Sequence, residues 1–108
     1  MKYIGVAIML KEELEPKKEF IIQSEIDHSL AEIVPENMMD VDELCEALKR
    51  RLIHHLEMIA DSYPWLEGAR VVVFSGIEAR DEDEAEEAIY KLPPVIGWGK
   101  NRVVVKVI

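Results

Sequence analysis

Two stretches of this chain are apolar on both faces of an extended backbone, and this restricts the fold more than any other feature of the sequence. In Tyr3 to Leu10, the residues Ile4, Val6, Ile8 and Leu10 fall on one side, and Tyr3, Gly5, Ala7 and Met9 on the other. Arg70 to Ile77 repeats the pattern with valine and phenylalanine. Strands of this kind need cover above and below, as interior strands do. A chain of 108 residues with 49% apolar side chains has enough material for one such core and no more, so residues 1–108 are expected to form a single domain.

The remaining segments supply the cover. Lys11 to Lys18 is charged and contains Pro16, which marks a connection. After it, Phe20, Ile22, Ser24 and Ile26 alternate with Glu19, Ile21, Gln23, Glu25 and Asp27, which reads as a half-exposed strand closing a hairpin with the first. His28 to Met39 is irregular, with Pro35 and Asn37 breaking it, and reads as a loop with a short helical turn. Asp40 then offers an N-cap with Glu43 three residues on. Val41, Leu44, Cys45, Leu48, Leu52, His55, Leu56, Ile59 and Tyr63 recur at spacings of three and four, which predicts one long helix ending near Ser62. Asp81 and Glu84 open a short second helix that Pro93 and Pro94 end, and Val103, Val105 and Val107 alternate in a last strand. The expected class is α+β: a four-stranded mixed sheet in the order β-β-α-β-α-β, with one long and one short helix. The long helix covers one face; the short helix or a second copy of the chain covers the other, and a homodimer is expected on that ground.

Charge narrows the partners. Thirteen basic against twenty-two acidic side chains leave −9, which repels phosphate backbones and anionic membranes, so direct nucleic-acid binding is disfavoured and a protein partner is favoured. No apolar run approaches the ~20 residues that span a bilayer. A single cysteine, Cys45, forms no internal disulfide, which suits a reducing, cytoplasmic location. Threonine is absent and glutamine occurs once, while Glu, Lys and Arg are plentiful, a bias of thermophile proteins.

Few residues suggest chemistry. Gly97, Trp98, Gly99 and Lys100 form the one local pattern that resembles a ligand-binding site: glycines admit close approach, the indole gives a flat face and the lysine a charge. No helix follows, so no phosphate or dinucleotide loop is present, and no cofactor is expected. His54 shares a helix face with Glu57 and Asp61, a geometry open to a divalent ion but better explained as solvated helical surface. His55 belongs at the boundary of the apolar stripe, His28 stands alone, and Cys45 on that stripe reads as an inert thiol. The acids from Asp81 to Glu87 fit a helix start, where carboxylates meet the positive end of the dipole, and Ser75-Gly76 reads as a bend. No catalytic and no metal-ligand set is assigned. The expected function is a non-catalytic interaction or regulatory protein, acting through an acidic surface on a macromolecular partner as a viral or phage accessory protein would. The alternative is a small-ligand or metal-binding enzyme with its pocket near the Gly97 to Lys100 turn.

Overall fold

The fold is seen in a computed structural model that describes residues 1–33 and 40–108. In chain order the elements are β1 (Lys2–Met9), α1 (Pro16–Ile33), α2 (Val41–Ile59), a single 3-10 turn (Pro64–Leu66), β2 (Arg70–Glu78), α3 (Glu82–Tyr90), the short α4 (Pro93–Ile96), a second such turn (Lys100–Arg102) and β3 (Val103–Val107). The sheet has the order β2-β1-β3, with β1 antiparallel to both neighbours.

The two-faced apolar pattern of the first strand places it at the centre. On one face Val6, Ile8 and Leu10 meet Ile22 and Ile26 of α1 and Leu48, Leu52 and Leu56 of α2. On the other, Ala7 and Met9 meet Ile89 of α3, Val95 of α4, and Val103 and Val105 of β3. Val6, Ala7, Ile8 and Leu10 are wholly buried, and burial of a side chain such as Ile8 contributes about 1.5–3 kcal/mol. The second face is thus covered from within the chain by α3 and α4, which removes the reason for expecting a second copy there.

Among the described residues the sheet has three strands, all antiparallel, where four in a mixed sheet were expected. The missing strand, Phe20 to Asp27, lies inside α1, which also takes in His28 to Ile33. Pro16 occupies the first helical position, where its fixed φ and missing N–H cost nothing. The buried residues of α1 are Ile22, Ile26, Ser29 and Ile33, at spacings of four, three and four, while Phe20 is 75% exposed. The alternation was therefore a coincidence within a helical stripe whose third member is polar. Pro35 and Asn37, which were to break the loop, lie outside the described residues.

The other helix starts follow the sequence. Asp40 Oδ1 accepts from the Glu43 N–H at 2.8 Å, and Asp81 Oδ1 from the Glu84 N–H at 2.8 Å. The Glu84 carboxylate turns one residue further back than a capping box requires: its Oε2 accepts from Arg80 Nε at 2.7 Å. A second departure matters more. Arg70–Glu78, read as an interior strand, is an edge strand. Its two faces are apolar because α2 lies over one and α3 over the other, and neither helix says anything about the strand's open side.

Gly5 sets how closely α3 approaches the sheet, since a Cβ there would collide with the Ile89 side chain. Gly5→Ala is expected to cost about 1–2 kcal/mol through this overpacking. In an Ile89→Val background, which removes the colliding methyl, the same change costs clearly less. Denaturant midpoints of the four proteins in this cycle check the coupling.

Candidate functional site

The open side of β2 is defined by the hydrogen-bond parity of β1. Ile4 N–H donates to Ile108 O at 3.2 Å, Ile108 N–H to Ile4 O at 2.8 Å, and Leu10 N–H to Arg102 O at 2.8 Å. Even-numbered residues of β1 therefore turn their backbone groups to β3, and odd-numbered ones to β2. Met9 stands opposite Arg70, Ala7 opposite Val72 and Gly5 opposite Phe74, so those three residues of β2 are paired inward. Val71 and Val73 point their N–H and C=O groups away from the sheet. No further strand lies there among the described residues.

A groove of about 560 Å³ runs beside the start of this edge, between the end of α2, the Pro64–Leu66 turn and β2. Ile53, Leu56, Leu66 and Val71 give it apolar walls, and Glu57, Asp61 and Glu67 bring three carboxylates to it. None of the three makes an ion pair with any described residue. The turn that closes the groove depends on Gly68, at φ 78°, with the Lys11 side chain against it. The acids arrive because the hydrophobic stripe of α2 occupies one side of the helix, leaving Glu57 on its flank, while Asp61 follows in the turn two residues past its end.

The histidines divide as the helix spacing dictates. His54 is exposed and lies edge-on to His55, ring centroids 6.2 Å apart. Among the described residues no three His, Cys, Asp or Glu side chains converge as metal ligands, so His54, Glu57 and Asp61 do not form such a set. His28 is exposed on α1. His55 is bracketed by α1: Nδ1 is 3.3 Å from Glu25 Oε2 and Nε2 is 3.2 Å from Glu32 Oε1. Arg51 Nη1 adds a bond to Glu32 Oε2 at 2.8 Å. Glu25 and Glu32 sit two helical turns apart, so one imidazole and one guanidinium tie α1 to α2. The hydrogen bond from His55, with that from Arg51 behind it, holds the Glu32 carboxyl below the usual range. Burial, aided by Asp42 and Glu46, pushes the half-buried Cys45 thiol up, away from nucleophilic character.

The turn singled out in the sequence has its side chains engaged internally. Trp98 is half-buried against the second core. Arg102 covers its ring at 5.7 Å from the centroid and donates from Nε to Trp98 O at 2.7 Å. Lys100 Nζ donates to Glu87 Oε1 at 2.7 Å and lies 4.9 Å from the centroid of Tyr90. The backbone demands a glycine at Gly99, with φ 82°, and not at Gly97, with φ −73°. Nearby, burial and then Glu86, Glu19 and Glu87 push the Tyr90 hydroxyl up to about 12. Burial followed by Asp83 and Glu87 raises Glu86. Gly76, at φ 68°, is exposed beside a cavity of about 390 Å³ that Tyr3, Val41 and Ile108 also line.

Comparison with family models, with curated proteins and with solved structures finds no match for this chain.

Sequence reasoning did not bring Ile53, Leu56, Leu66 and Val71 together as a site. The one signal was Ile53, an isoleucine off the buried stripe of α2 and partly exposed.

The α1–α2 clamp has a pH signature. A depressed carboxyl contributes stability above its unfolded value and loses it as pH falls through its folded value. Glu32→Gln is therefore expected to lower stability at neutral pH, with the difference from the parent shrinking to nothing as pH falls below the carboxylate range of about 4. Denaturant midpoints of both proteins from neutral to acid pH check this.

Proposed function

We propose that this chain is a non-catalytic interaction protein that receives a basic, aliphatic segment of a partner protein in the groove between α2 and β2. The observation that carries the reading is the pairing of apolar walls with three carboxylates that have no cationic partner among the described residues. Apolar walls favour an aliphatic anchor, and unpaired acids at their margin favour lysine or arginine on either side of it. Each exposed pair contributes little alone, about 0.2–1 kcal/mol, but the three select the sign of the partner.

The same charge argues against two other partners. Acidic side chains are spread over both layers of the molecule, on α2 and around the groove on one side and on α3 on the other. They form no single row, which weighs against imitation of a phosphate backbone. A second copy is also a poor fit for the groove. The other sheet edge, at Val105 to Val107, is flanked by Glu82, Asp83 and Glu86, and its one cation, Lys106, is already paired with Asp27 at 3.6 Å, so edge-to-edge association would set mainly acid against acid.

A labelled short peptide with a central valine, a lysine two residues to either side of it and threonine between them is the probe. It is expected to bind, more weakly as salt rises. Joint replacement of Glu57→Gln, Asp61→Asn and Glu67→Gln is expected to weaken it about tenfold. Equal binding of a valine and glutamate counterpart, or unchanged affinity in the triple variant, would overturn the proposal.

A further inference from the structure

We infer that the partner segment binds by strand addition, as a fourth strand on the open edge of β2; this rests on the groove being a docking site for a basic aliphatic segment. The groove and the free edge are one surface, because Val71 belongs to both. Val71 and Val73 each turn an N–H and a C=O outward, and outward residues of an edge strand recur every ~6.8 Å, the repeat of an extended peptide's own backbone groups. An antiparallel segment can exchange two bonds with each.

Side-chain direction fixes what the added strand must carry. Val71 and Val73 lie on the α2 side of the sheet, packed against the core that α1 and α2 cover. A residue placed opposite Val71 projects to that same side, toward Ile53, Leu56 and Leu66. An aliphatic side chain at that position enters the groove, and basic side chains two residues to either side of it, which project to the same face, meet Glu57, Asp61 and Glu67. The addition is short. Between Gly5 opposite Phe74 and Tyr3 opposite Ile77 the register slips by one residue, an extra residue on β2 at Ser75-Gly76 with Gly76 at φ 68°. That bulge bends the strand and ends the regular edge at Phe74.

The experiment uses the whole chain and the valine–lysine peptide, N-methylated at one backbone amide at a time. Strand addition predicts a period of two: methylating an amide that faces β2 weakens binding about tenfold, and methylating its neighbour changes little. Val73→Pro adds a test from the protein side. Its amide points outward, so the fold is expected to survive by circular dichroism while the affinity falls about tenfold. If Val73→Pro does not fold, the methylation series on the unaltered chain decides alone. Binding that is indifferent to which amide is methylated would overturn strand addition and leave groove docking intact. Failure of the unmodified peptide to bind would overturn both.

Discussion

Everything in this molecule is arranged around one strand with no free side. β1 is hydrogen-bonded to β2 through its odd residues and to β3 through its even ones, and α1 with α2 covers one face while α3 with α4 covers the other. A backbone so enclosed leaves no polar group without a partner only if both neighbours stay in register. Gly5 lets Ile89 of α3 reach the sheet. On the opposite face, where α1 and α2 share the cover, His55 and Arg51 lock the two helices together through Glu25 and Glu32.

A three-stranded sheet centred this way has two edges, and the chain treats both with acid. Carboxylates at an open edge discourage pairing with another copy of the same acidic protein. They also attract an extended segment of opposite charge, so protection against self-association and selection of a partner come from the same residues. The β2 edge differs from the β3 edge in having an apolar groove at its side. That difference makes it the surface on which recognition of a basic aliphatic segment is proposed.

How much of this could be read from the chain depended on which surfaces a pattern reports. Periodicity reports faces. The two-faced runs at Tyr3 to Leu10 and Arg70 to Ile77, the stripe of α2 and the caps at Asp40 and Asp81 all reappear in the structure as strands, a helix and helix starts. α1 was missed because Ser29 stands where its stripe needs an apolar residue, while exposed Phe20 and buried Ile22 and Ile26 mimic alternation. Edge position was invisible, since β2 is apolar on both faces for the same reason as β1 and differs only in the direction of its amides. The groove joins residues from Ile53 to Val71 across a turn that depends on the positive φ of Gly68, a geometry that no local pattern encodes. At Gly97 to Lys100 the partners of Trp98 and Lys100, which are Glu87, Tyr90 and Arg102, come from the fold and not from the local pattern.

Amide hydrogen exchange of the free protein, followed by NMR, tests the central claim most directly. If β1 is the enclosed strand and β2 an open edge, the amides of Val72 and Phe74 exchange slowly, with β1, while those of Val71 and Val73, which alternate with them, exchange at least about tenfold faster. Equal protection of all four would contradict the account, because it would mean that another element already pairs with the edge on which partner recognition is placed.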